Sequence, residues 1–165
     1  IPEQYLFRLY NTLTNAGIEV NKPKLLSNLV SCTGADTCQL GICFAKGGLK
    51  AIHDKLSENS TLNKLENLDI NISGCPNSCG QHLVADLGFA GKVSRNEKIY
   101  PSYNIFAGAV IGNNKAALPI KIGEVAAKDL PAFTNDILSL YSKYHEQNSF
   151  RQFIEKQKEK VQTII

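Results

Sequence analysis

Apolar residues recur along this chain at two periods, and the switches between them lay out the elements. Tyr5, Leu6, Leu9, Tyr10 and Leu13 return at three-to-four spacing and predict an amphipathic helix over residues 2–16, closed by Gly17 as a C-cap glycine. Residues 25–30 predict a short strand. Beyond them Ile42, Leu49, Ile52 and Leu56 share one stripe, so a helix is expected from just after Cys38 to about Ser57. Gly47 and Gly48 weaken that helix by about 1 kcal/mol each relative to alanine, which points either to a break or to a close packing partner. Residues 58–65 are polar and read as a loop or frayed turn. Leu68, Ile70 and Ile72 then alternate with Asp69, Asn71 and Ser73, the period of a half-buried strand.

Residues 83–91 and 103–112 predict two strands joined by the polar segment 92–98. The second is apolar on both faces (Ile105, Ala107, Ala109 and Ile111; Phe106 and Val110), which places it inside a sheet. Gly112-Asn113-Asn114-Lys115 reads as a turn, and Leu118, Ile120 and Ile122 alternate into another strand. Leu130, Phe133, Ile137, Leu140, Tyr141 and Tyr144 predict a helix with Asp129 as N-cap and Pro131 in its first turn. Ser149 and Gln152 form a capping-box pair that opens a last helix bearing Phe150, Phe153, Ile154 and Val161. The order predicts an α+β domain, a mixed sheet flanked by helices, with ligand-bearing loops at strand ends.

Composition narrows the class. At 165 residues, 43% of them hydrophobic and 20% charged, the chain is long enough for one domain with a real core, and no apolar run approaches a membrane span. The net charge of +3 is too small to argue for a nucleic-acid partner. Lys156, Lys158 and Lys160 are interleaved with Glu155 and Glu159, as on a solvated helix face. Position 1 is Ile with no leader behind it, which suggests a piece excised from a longer protein. All five cysteines lie between Cys32 and Cys79. A secreted disulfide scaffold would spread an even number through the chain, so the clustering points to metal, a reducing compartment and a cytoplasmic location.

The chemistry is concentrated in Ser31-Cys32-Thr33-Gly34-Ala35-Asp36-Thr37-Cys38 and Gly74-Cys75-Pro76-Asn77-Ser78-Cys79-Gly80. Zinc sites usually place two to four residues between paired ligands, and the first pair here is wider. A cubic iron–sulfur cluster offers four separated iron corners to four thiolates, which suits wide, unequal loops. Zinc and free structural cysteines remain the alternatives. Gly34, Gly74 and Gly80 would let backbone N–H groups approach an anionic centre, helped by helix N-termini expected near Thr37 and Ser78. Cys43 reads as a small buried hydrophobe rather than a fifth ligand. His82 could hydrogen-bond near the centre or be a satisfied surface or core histidine; His53 and His145 are scattered. No phosphate loop, carboxylate pair or serine-nucleophile elbow competes.

These two stretches, with Gln81-His82 and Ala85-Asp86-Leu87-Gly88-Phe89-Ala90-Gly91, closely resemble the sirohaem-dependent nitrite and sulfite reductases. Lys46 matches a lysine common in that family, while Phe44-Ala45 departs from its usual acidic-then-Thr pair. The resemblance runs from about Leu25 to Phe153. It implies a [4Fe–4S] cluster on Cys32, Cys38, Cys75 and Cys79, with Cys79 bridging to the sirohaem iron. Asn77, by its place between the last two ligands, is the candidate donor beside the cluster. It further implies six-electron reduction of nitrite to ammonia or of sulfite to sulfide, with ferredoxin or a reductase as electron donor. Residues 1–20 then resemble the tail of a preceding ferredoxin-like half-domain, and 21–165 the cluster and sirohaem domain. The N-terminal half of the same enzyme would supply the basic substrate-binding residues. Non-catalytic electron transfer through the cluster, an isolated inactive domain and a zinc-stabilised structural domain are the alternatives.

Overall fold

The computed structural model describes residues 1–18, 20, 23–95, 98–112, 115–146 and 149–165. Five strands, β1 (Leu29–Ser31), β2 (Ile70–Ser73), β3 (Leu87–Arg95), β4 (Ile99–Ala107) and β5 (Ile120–Ala126), form one mixed sheet in sequential order. β1, β2 and β3 run parallel, whereas β4 and β5 are added antiparallel. Helices α1 (Leu6–Asn15), α2 (Lys24–Ser27), α3 (Ala45–Ser57), α4 (Leu130–Tyr141), α5 (Phe150–Lys156) and α6 (Lys158–Ile164) complete the α+β domain expected from the sequence.

One face of the sheet carries the core. Ile70, Ile72, Leu87, Phe89, Tyr103 and Ile105 are all at most 1% exposed and pack with Ile52 and Leu56 of α3 and Leu130, Phe133 and Ile137 of α4. Phe89 meets Tyr103 and Phe133 edge-on at ring-centre distances of 6.5 and 6.2 Å, a geometry that suits the ring quadrupoles. Gly48 answers the question raised by the glycine pair. A Cβ there would lie 3.3 Å from Leu130 Cδ2 and 3.4 Å from Tyr103 Oη, so α3 is pressed closely onto its neighbours without a break.

Parallel neighbours need a crossover of about a dozen residues, usually a helix. Between β1 and β2 that crossover includes α3; between β2 and β3 it is residues 74–86, which hold no helix. The second cysteine loop is therefore itself the crossover. It passes over the face opposite the helices, and this explains β2. Ile70 and Ile72 point to the helices, while Asn71 and Ser73 point to the crossing loop. All four residues are buried, where alternation alone predicted a half-exposed strand.

Other expectations shift at element ends. Residues 25–30 split into the helical turn α2 and the short β1, because Pro23 starts a turn that Leu25 anchors in the core. Residues 58–65 contain a 3-10 turn, Ser60–Lys64. β3 and β4 slide into the predicted connection, pairing from Leu87↔Ala107 to Arg95↔Ile99, so the long hairpin holds Lys92, Ser94 and Tyr100 within strands. β4 lies inside the sheet as expected. The Gly112 carbonyl accepts the Lys115 N–H at 3.4 Å, while Asn113 and Asn114 of that predicted turn lie outside the described residues. The Ser149–Gln152 capping box forms in both directions, and the last helix is broken at Gln157 into α5 and α6. Gly17 closes α1 with φ +75°.

Candidate metal centre

The site begins where two parallel strands end side by side. Ser31 pairs with Ile72, and just beyond them the Cys32 N–H donates to the Ile72 carbonyl at 3.1 Å. The Gly74 N–H donates to Cys32 Sγ, also at 3.1 Å. The first cysteine loop turns at Gly34 (φ +64°) through a 3-10 turn, Gly34–Asp36, and the Cys38 N–H closes it on the Gly34 carbonyl at 3.0 Å. Residues 42 and 43 tie this loop to the second. Both their N–H groups donate to the Gly74 carbonyl at 2.9 Å, and the Cys43 carbonyl accepts the Ala35 N–H at 3.0 Å. A Cβ on Gly74 would sit 2.7 Å from the Cys43 carbonyl oxygen and 2.8 Å from Gly34 Cα. The backbones of the two cysteine loops thus touch, and only glycine permits it.

The second loop is held from below by Ser73. Its Oγ accepts the Gly80 N–H at 3.1 Å and lies 2.8 Å from His82 Nδ1. Asn71 Nδ2 donates to the Gln81 carbonyl at 3.1 Å. Gly80 presses against the Ile72 carbonyl so tightly that any Cβ would collide with it. Ser78 and Gln81 take φ of 59° and 60°, a region that costs a residue with a side chain about 1–2 kcal/mol. Such strain persists where surrounding contacts dictate the path, and it clusters at functional sites.

His82 is 2% exposed and packs against Phe106, the tilted rings 5.2 Å apart; burial pushes its imidazole below the usual histidine range. It is a satisfied core histidine, and it reaches the loop through Ser73. No helix starts near Thr37 or Ser78. The donor that faces a cysteine sulfur is the Gly74 N–H, and the sequence offers no periodic signal for it. Ser73 was equally hidden, appearing only as the polar half of an alternating strand.

All five cysteines are free thiols. Cys32 and Cys38 are partly exposed, Cys75 is buried, and Cys79 is exposed, as are Pro76 and Asn77 at the loop tip. Lys46 is exposed in the first turn of α3. Cys43 precedes that helix instead of lying on it, and its sulfur turns away from the loops toward the sheet carbonyls of Lys92 and Ser102, at 3.7 and 3.5 Å. Burial pushes its thiol up, so it stays protonated and donates.

Among the described residues, no group of three or more His, Cys, Asp or Glu side chains is placed to hold a single metal ion. One zinc would need its thiolates converged at about 2.3 Å from the ion. A cubic cluster instead spreads them over separate corners, and it rewards N–H groups aimed at sulfur. Four free thiols on two touching loops, with a glycine N–H already bonded to one of them, fit such a cluster.

A model of the family described as "Nitrite and sulphite reductase 4Fe-4S domain" matches residues 24–158. A chloroplastic ferredoxin–nitrite reductase of Spinacia oleracea is 32% identical over 118 residues, covering 70% of this chain and 20% of that protein. The sulfite reductase [NADPH] hemoprotein beta-component of Methylobacterium sp. (strain 4-46) is 25% identical over 129 residues, covering 77% of this chain and again 20% of the relative. The chain therefore spans about a fifth of the length of these curated relatives. Among solved structures, that of the Mycobacterium tuberculosis NirA protein superposes with a TM-score of 0.79 at 22% identity. It covers 94% of this chain and 30% of the other, which establishes the shared fold.

Proposed function

The chain belongs to the nitrite and sulphite reductase 4Fe-4S domain family, whose cofactors are a [4Fe–4S] cluster and sirohaem, and on that premise we propose that Cys32, Cys38, Cys75 and Cys79 ligate the cluster. The carrying observation is the Gly74 N–H donated to Cys32 Sγ where the two cysteine loops meet. A thiolate-bound cluster is anionic, and a backbone donor fixed beside its sulfur stabilises that charge without reorganising.

Cys79 would hold both the cluster and the sirohaem. Its exposure supports this assignment, because a shared sulfur needs open space on its outer side. Asn77, exposed two residues earlier, is the proposed donor toward the same groups. When bound, the cluster and haem supply electrons one at a time next to the reacting anion. This chain's own residues hold the sulfurs, direct Gly74 N–H at one of them, and anchor the Cys75–Cys79 loop through Ser73.

In the intact protein the reaction is the six-electron reduction of nitrite to ammonia or of sulfite to sulfide. Electrons come from ferredoxin or a reductase, and the anion is bound largely by basic residues outside this chain. Residues 21–165 form the cluster and sirohaem domain, and 1–20 the tail of a preceding half-domain. No helix among the described residues is long and apolar enough to cross a membrane, and the reduced thiols suit a cytoplasmic setting.

Anaerobic purification of the intact protein, with absorption spectroscopy and assays against both anions, tests this. Sirohaem bands with turnover of either anion are expected. A broad cluster absorption alone would make the protein an electron-transfer module, and a colourless zinc protein would refute the cluster assignment.

A further inference from the structure

Cys43 is the one cysteine the proposed ligand set leaves unused, and it is 2% exposed. Its backbone holds both cysteine loops at once: the N–H grips the Gly74 carbonyl at 2.9 Å and the carbonyl takes the Ala35 N–H at 3.0 Å. Its side chain is anchored elsewhere, on the Lys92 carbonyl of β3 and the Ser102 carbonyl of β4. Burial, and after it the neighbouring Cys43 sulfur, pushes the Tyr103 hydroxyl up. There is little slack, since a Cβ on Gly91 would lie 3.1 Å from Cys43 Cβ.

We propose that Cys43 is a positioning residue for the metal centre: its buried thiol, sharing its one S–H between two sheet carbonyls, fixes the backbone segment that clamps Gly74. The inference rests on the ligand set proposed above. Gly74 carries the N–H bonded to Cys32 Sγ, so the clamp decides how well that donor is aimed. A donor on a ligand sulfur favours the more negative, reduced cluster and raises its potential. Loosening the clamp lowers it.

A purely hydrophobic role and a hydrogen-bonding role make opposite predictions for two variants of nearly equal size. Cys43→Ser keeps a donor for the two carbonyls; Cys43→Ala does not. In the anaerobically purified intact protein, both variants are expected to retain wild-type inorganic sulfide. The alanine variant's cluster potential should move to more negative values with an altered EPR signal of the reduced cluster, and the serine variant should restore both. Should the alanine variant fail to hold its cluster, Cys43→Val, which is apolar and donor-free, is read in its place with the same expected shift. An unchanged potential without the donor, or a serine variant displaced as far as the alanine one, overturns the proposal while leaving the ligand set standing. A wild-type protein without inorganic sulfide overturns the ligand set and this proposal together.

Discussion

Helix α1 and the cysteine-bearing end of the sheet stand at opposite extremes of burial. No residue of α1 is buried; Leu6, Phe7 and Tyr10 are 51%, 77% and 41% exposed, although Leu6 and Tyr10 belong to the stripe expected to face a core. At the other extreme Ser73, Gly74, Cys75, Gly80 and His82 are all buried, and their polar atoms are largely paired within the chain. The cysteine loops are closed by β1, β2 and residues 42–43 of this same chain, so their backbone frame is intrinsic to it. Along the apolar stripe of α1, Leu9 and Leu13 are half-buried and Leu6 and Tyr10 are exposed.

The strongest way to break this contrast is to remove a proposed ligand. Cys79→Ser in the intact protein should lose most of its inorganic sulfide and the spectral coupling between cluster and haem, whereas Phe7→Ser should keep both. Full sulfide in the Cys79 variant would remove that residue from the site. Next in size is Gly74→Ala. Its Cβ meets the Cys43 carbonyl and Gly34 Cα below 3 Å, both backbone atoms that cannot swing aside. Such overpacking costs about 1–3 kcal/mol, readable in urea denaturation. A neutral result would mean that the two loops are not pressed together.

Asp86 sharpens the comparison through pH. It lies at the base of the crossing loop, where its Oδ2 accepts the Asp69 N–H at 3.0 Å, and burial pushes its carboxyl up. A raised folded-state value favours the protonated form. The stability this gives is complete below the ordinary carboxylate range and is lost as pH rises through the raised value. Asp86→Asn, which keeps an acceptor without the charge, should therefore be more stable than wild type at neutral pH and equal to it in acid. A stability difference that does not change with pH would rule this out. Smallest of all, Leu6→Ser on α1 should change stability by no more than about 0.5 kcal/mol by the same denaturation. A loss of several times that would show α1 to be packed in the domain.

Much of this was legible because periodicity reports burial. The alternation of Leu68, Ile70 and Ile72 located β2, the capping box located α5, and the cysteine spacing singled out both loops. What escaped was decided by long-range contacts. Nothing near Asn71 and Ser73 announces that a loop will cover them, so β2 was read as half-buried. Helix N-termini were expected at Thr37 and Ser78 from chemistry alone, whereas the donor came from Gly74, forty-two residues from the sulfur it meets. Cys43 is the small buried residue that its apolar neighbours predict, but local sequence carries no sign of the carbonyls of β3 and β4 that its sulfur meets.

Inorganic sulfide bears most directly on the central claim, since neither zinc nor a haem contributes any. In the anaerobically purified intact protein the ligand set of Cys32, Cys38, Cys75 and Cys79 predicts about four sulfides per chain, the content of one cubic cluster. A protein that carries none, before and after reconstitution with iron and sulfide, would contradict it.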